Sequence, residues 1–270
     1  MRDLSPRSPV TWMLIAVVVG YAVILFGLPI VTIVGSAFAK GIDPIVKTFN
    51  DPEVQHAILM TFALAGIAVV FNAIAGLITA WVLTRHHFPG KRLLDAMVDI
   101  PFVFSPVIAG YAMIVLFGRV GWFAPTLFPI VFALPGILLA KIFVSLPFVT
   151  RELQPVLESI TPEQEHAAYT MGASRWLTFR RVILPEIWTA LLYGLVLTFA
   201  RAVGEFGAVA VVSGSIQGYT ETATSFVFRA LNDRNPSGAY SVSLVLMLVS
   251  LAILVVLNVL KHRLVTRKGF

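Results

Sequence analysis

The chain has no cysteine at all. Disulfides, thiolate metal sites and cysteine nucleophiles are therefore excluded, while the redox compartment is left open. Charge is scarce as well: Asp, Glu, Lys and Arg make up 13% of the 270 residues against 58% hydrophobic, and the mean hydropathy is +0.88. That balance lies outside the composition of water-soluble globular domains. A phosphate-cradling loop of the form Gly-x-x-x-x-Gly-Lys-Ser/Thr is missing too. Its nearest approach, Pro89-Gly-Lys-Arg92, lacks the first glycine and the hydroxyl residue, so this chain is not expected to bind ATP itself. Neither His-Glu-x-x-His nor Gly-x-Ser-x-Gly occurs, and His86-His87 reads as a solvated loop pair. No catalytic residue, metal site or cofactor is expected in this chain. Linkers, low-complexity tracts and internal repeats are absent, which leaves a single membrane domain over 1–270.

What the chain has in excess is long apolar runs. A helix needs about 20 residues to cross roughly 30 Å of hydrocarbon. Six runs qualify, at about 12–38, 57–83, 94–117, 131–150, 187–212 and 239–260. Their length and their lack of period-2 alternation favour helices over a barrel. The expected fold class is an all-α integral membrane bundle. The first run follows Arg2 and Arg7 and ends near Ala37-Phe-Ala39, as a cleaved signal does, but it is too long and is kinked by Pro29, so it reads as a retained helix.

Lys and Arg are distributed unevenly between the two ends of the spans. Arg2, Arg7, Arg85, Lys91, Arg92, Arg151, Arg175, Arg180, Arg181, Lys261, Arg263, Arg267 and Lys268 fall on one side, and Lys40, Lys47, Arg119, Arg229 and Arg234 on the other. By the positive-inside rule both termini and the segment 151–186 face the cytoplasm. The net charge of +6 follows from this bias and from contact with anionic membrane lipid, with no need for nucleic acid.

Between the fourth and fifth runs lies a polar interruption, Thr161 to Pro185. Thr161 suits an N-cap, Pro162 the first helical position, and Gln164 completes a capping-box pattern. A short helix through Glu163, Glu165, His166, Ala167 and Ala168 is expected to end near Met171, where Gly172 can take the left-handed conformation. A second amphipathic helix over 174–184 carries Arg175, Arg180 and Arg181, and Pro185 is expected to break it. A hairpin lying on anionic lipid, with Trp176 and Phe179 in the interface, is the generic alternative. The acidic start and the Ala-Ala pair favour close approach of another protein instead.

The pattern Ala167-Ala168, three residues, Gly172, nine residues, Val182-Ile-Leu184-Pro185 resembles the EAA loop of bacterial ATP-binding-cassette importer permeases. The resemblance implies a six-helix, type I (MetI-like) permease whose loop 151–186 forms a coupling helix seated in a groove of a separate ATPase. It assigns ATPase coupling to Glu163, Glu165, His166, Ala167, Ala168, Gly172, Leu184 and Pro185. His166 stands where that family usually carries the first glutamate, with Glu165 one residue earlier.

Charged and broken segments inside spans mark pathways or packed polar contacts. In the fifth run, Ala200, Gly204, Gly207 and Ala208 share one helical stripe, while Arg201 and Glu205 stand one turn apart on a neighbouring one. Arg201 could attract an anion with Glu205 shielding it at rest, or the two could clamp helices together. The third run opens with Asp95 and Asp99 and contains Pro101, Ser105 and Pro106, a broken helix whose hydroxyl and free backbone groups suit an oxyanion. Lys141 is a further cation in the fourth run.

Three segments, 99–110, 148–156 and 200–216, resemble the sulfate/thiosulfate importer permeases of the CysW type, and the likeness runs from about 20 to 235. It implies sulfate and thiosulfate translocation by alternating access in the bacterial inner (plasma) membrane. The implied partners are a second permease of the CysT/CysU type, two copies of a CysA-type ATPase that carries ATP and Mg, and an extracytoplasmic sulfate/thiosulfate-binding protein docking near 40–55, 118–130 and 213–238. Arg201, Glu205, Asp99, Ser105 and Ser213 become the pathway residues. A molybdate permease and, in another class, an ion-gradient-driven secondary transporter remain the alternatives.

Overall fold

A helix that is apolar around its whole circumference needs lipid or other helices on every side. The computed structural model describes residues 9–123 and 129–267, and its long elements are all helices. Arg2, Arg7, Lys268 and residues 124–128, part of the expected docking segment 118–130, lie outside the described residues. Helix α1 (Pro9–Ala22) passes through a π turn at Val23–Gly27 into α2 (Leu28–Phe38), and the short α3 (Asp43–Asn50) follows. Next comes α4 (Pro52–Arg85), capped by Asp51, whose side chain accepts from the Glu53 N–H at 2.9 Å.

The third span, expected over 94–117 as a helix broken at its prolines, is broken there. It is two helices, α5 (Lys91–Val103) and α6 (Pro106–Phe117), that meet at 113°. Proline pushes the residue before it out of the helical region, and both Phe104 and Ser105 are extended, with ψ of 132° and 134°. Pro101 stays inside α5. Counting this bent pair as one span, six segments among the described residues are long and apolar enough to cross a membrane.

Helix α7 (Leu134–Ser159) runs past its expected end at 150 with Pro147 and Pro155 inside it, so the polar loop begins at Ile160 rather than 151. The loop folds as α8 (Pro162–Thr170) and α9 (Arg175–Thr178), and α9 continues through a π turn at Phe179–Ile183 into α10 (Leu184–Val203). Pro185 does not break the helix as expected. Arg175–Val203 is one helix of 29 residues, because a π turn shifts the hydrogen-bond register and accommodates the donor that proline lacks. The fifth span, expected over 187–212, is itself interrupted: α10 stops at Val203 and α11 (Gly207–Ser213) starts after Gly204, Glu205 and Phe206. Helices α12 (Ala223–Asn232) and α13 (Pro236–Arg267) complete the bundle.

Within lipid, helices associate through close packing of small residues rather than by escape from water. The core between α4, α7 and α10 follows that rule, with Ala65, Ala68, Ala80, Ala140, Ala190 and Ala202 all buried. Near the hairpin, Val149, Leu153, Leu157, Ile183 and Ile187 add bulk. At the opposite end Val54, Ala57, Phe226, Ala239 and Val242 bind α12 and α13 to the start of α4. The apolar flanks of α1, α2 and α13 (Val17, Val18, Ile24, Leu254 and Val255 among them) stay exposed, as lipid-facing helices do.

Candidate functional site

The hairpin is shaped by its hinge. Thr161 occupies the N-cap of α8, but its side chain makes no capping bond, and the Gln164 N–H instead reaches the Thr161 carbonyl oxygen at 3.3 Å. The expected capping box is therefore not formed. The other end matches expectation: Gly172 has φ +82°, its N–H donates to the Tyr169 carbonyl at 2.9 Å, and the Ala173 N–H donates to the Ala168 carbonyl at 3.0 Å. This is the paired-bond helix stop that a left-handed residue allows. A Cβ at Gly172 would meet nothing within 4 Å, so the backbone angle, not space, requires glycine. A cleft of about 310 Å³ opens there, lined by Ala168, Met171, Gly172, Leu177 and Val182.

The expected coupling residues divide between two faces. Glu163, His166 and Ala167 are exposed on α8, whereas Ala168 is buried inside the hairpin. Glu165 turns away from that exposed face and pairs with Arg85, the last residue of α4. At the root of the hairpin Ile183 is buried and Leu184 packs on the Leu153, Leu157 and Ile187 cluster, while Pro185 is exposed. An exposed helix is thus keyed to the membrane core by its second arm.

The broken fifth span holds the second constellation. Helix ends leave backbone groups without intrahelical partners. Lys141 of α7 is fully buried and donates its ammonium to the Ala202 carbonyl, in the last turn of α10. Across the break Glu205, 1% exposed, accepts from the Ala208 N–H at 2.8 Å at the start of α11 and from Arg201 Nη1. The Thr224 hydroxyl donates to the Glu205 carbonyl at 3.1 Å. The cation therefore sits at the negative helix end and the carboxylate at the positive one. The Ser145 hydroxyl donates to the Lys141 carbonyl at 2.5 Å, and the Asn72 side-chain amide donates to Ser145 Oγ at 2.8 Å, which joins α4 to the same node. Lys141→Met is expected to strand the Ala202 carbonyl and to cost about 1–3 kcal/mol; the thermal unfolding midpoint of the purified protein in detergent checks this.

Ala200, Gly204, Gly207 and Ala208 do not form the single stripe expected of them, because the helix breaks between Val203 and Gly207. Gly207 and Ala208 pack instead on α6. A Cβ on Gly110 would lie 2.6 Å from the Ala208 carbonyl oxygen, so the two backbones touch. Pro106 Cβ is 3.0 Å from the Cβ position of Gly207. The bend at Ser105 and the break at Glu205 therefore stand side by side, with Ser105 exposed at its lip.

Other expected pathway residues have different partners. Asp99 is bound to Arg151 of α7 at 2.7 Å, and Arg151 also holds Asp95 at 2.6 Å, so these carboxylates fasten α5 to α7. Ser213 is buried; its hydroxyl oxygen accepts from the Ser215 N–H at 2.9 Å and its carbonyl from the Thr220 hydroxyl at 2.8 Å.

The sequence profile of the binding-protein-dependent transport system inner membrane component matches residues 72–269. The chain belongs to that family. It is 44% identical over 265 residues, 97% of this chain and 96% of the relative, to the sulfate transport system permease protein CysW of Synechocystis sp.. With the sulfate transport system permease protein CysT of Escherichia coli (strain K12) it shares 39% over 221 residues, 80% of each chain. A chain in the crystal structure of a bacterial alginate ABC transporter, in complex with an alginate pentasaccharide-bound periplasmic protein, superposes with a TM-score of 0.76 at 19% identity, covering 94% of this chain and 95% of that one. The fold is that of a MetI-like ABC importer permease, and the protein is a multi-pass membrane component.

Three participants in this permease escaped the sequence reading as site residues. Arg85 registered there only as an orientation charge; a cation at the end of a span was its one signal. Asn72, a single amide in a long apolar run, was another. Glu221, fully buried and bound to Arg229 at 2.7 Å, carries no sequence mark that separates it from a loop carboxylate.

Proposed function

We propose that this chain is the CysW-type permease half of an ATP-driven importer that moves sulfate and thiosulfate into the cytoplasm. The substrate reading rests on one observation, the 44% identity over nearly the whole chain to a permease named for sulfate. The remaining parts are a second permease of the CysT type, two ATPases that carry ATP and Mg, and an extracytoplasmic binding protein docking on loops that include α3 and α12. Both termini and α8 then face the cytoplasm of a bacterial inner membrane. The chain itself hydrolyses nothing and acts as a conduit.

The geometry supports a mechanism of alternating access. Closure of the ATPases displaces α8, and Ile183 and Leu184 transmit the movement into α10, which ends at the Arg201–Glu205 break. An oxyanion competes with Glu205 for the partly exposed Arg201 guanidinium, beside the bend at Ser105. Movement follows only if ATP-bound and resting states differ in their contacts at α8. Reconstituted complex in liposomes, tested with radiolabelled sulfate, thiosulfate and molybdate at equal concentrations, is expected to accumulate the first two. Preferential molybdate uptake would overturn the substrate assignment.

A further inference from the structure

We infer that Glu165 is a strut within the permease rather than a contact to the ATPase: its ion pair with Arg85 ties the coupling helix α8 to the end of α4 and makes both positioning residues for transport. The inference rests on the coupling-hairpin reading and deepens it.

Arg85 closes α4, where the negative helix end favours a cation. Its Nη2 lies 2.6 Å from Glu165 Oε1, with the two side chains 20% and 16% exposed. The contact is a close ion pair between partly buried side chains. Charge attraction across this partly buried contact, less screened than a fully solvated pair, holds the two helices together. The guanidinium also lies 5.8 Å from the Trp81 ring. Trp81 meets Phe179 edge-on at 5.9 Å, and Phe179 stacks on Trp176 at 5.8 Å. Both arms of the hairpin are thereby fastened at the same end of α4.

Helix α4 is continuous over 34 residues, so a pull at Arg85 is carried along its axis. It contains Asn72, whose amide bonds Ser145, which in turn bonds the Lys141 carbonyl. Lys141 holds Ala202 at the end of α10. The strut thus opens a second connection from α8 to the broken span, beside the direct one through Ile183 and Leu184. Glu163 and His166 remain exposed for a partner's surface.

The test is a double-mutant cycle in the reconstituted complex with its second permease, ATPases and binding protein. Glu165→Gln and Arg85→Gln are each expected to lower ATP-driven sulfate uptake about tenfold while ATP hydrolysis changes by no more than about twofold, raising the ATP consumed per sulfate. The reversed pair, Arg85→Glu with Glu165→Arg, is expected to recover uptake well beyond the sum of its single variants. Equal membrane abundance of all variants separates this from misfolding. Wild-type uptake and stoichiometry in Glu165→Gln, or a reversed pair no better than additive, would overturn the strut. Because the chain lacks cysteine, Ala167→Cys labelled with a benzophenone maleimide reports separately whether α8 reaches the ATPase. A photo-cross-link with normal Glu165→Gln transport overturns the strut alone, and no cross-link at all sinks the hairpin reading with it.

Discussion

Gly172→Val is expected to leave the chain inserted at normal abundance and to lower ATP-driven sulfate uptake at least about tenfold. The left-handed conformation costs an L-residue roughly 1–2 kcal/mol, and a β-branched one more, which shifts the hairpin population by about a factor of ten. Nothing lies within 4 Å of a Cβ at this position, so the first added carbon meets no clash and the backbone angle is the source of the cost. The two closing bonds, from Gly172 N–H to Tyr169 and from Ala173 N–H to Ala168, would be lost with the turn, and α8 would leave the hairpin at a different angle. Gly172→Asn, which tolerates positive φ, is expected to retain most of the uptake. Membrane abundance, uptake and ATP hydrolysis, measured on the three proteins together, check this. Normal uptake in the valine variant would remove Gly172 as the hinge.

Arg201→Ala is expected to abolish uptake and to lower the unfolding midpoint. Removing one partner of a buried ion pair strands the other, at a cost of about 3–5 kcal/mol. The low end applies, because Arg201 is 32% exposed and the Ala208 N–H continues to hold Glu205. The double variant Arg201→Ala with Glu205→Gln separates the two roles of the guanidinium. Removing the stranded charge should restore stability in either case. Uptake should stay lost if Arg201 contacts the anion, and should return if the pair only clamps the helices. Sulfate transport by the double variant at the wild-type rate would therefore make the pair a structural device.

Local backbone chemistry made the helix, hinge and helix of the hairpin legible in the sequence, since Gly172 and the polar break act within a few residues of themselves. The bend at Ser105–Pro106 was visible for the same reason, because proline constrains its neighbour wherever it stands. Pro185 misled because its effect depends on the π turn at Phe179–Ile183, which no single residue announces. The break at Gly204 was obscured by small residues that read equally well as a packing stripe; in the fold the last two of them meet α6 instead, with Gly110 against Ala208. Asp99 and Glu165 both looked available to partners from outside the chain. Their real neighbours, Arg151 and Arg85, are 52 and 80 residues distant in sequence and become neighbours only when the helices pack.

In the mechanism proposed above, a separate ATPase acting through α8 supplies the energy. Uptake of radiolabelled sulfate into liposomes holding the assembled complex measures it, with ATP and a proton gradient supplied independently. Accumulation is expected with ATP and no gradient, and is expected to be lost when the hinge after α8 carries Gly172→Val. Accumulation driven by the gradient alone, with ATP absent, would contradict that mechanism.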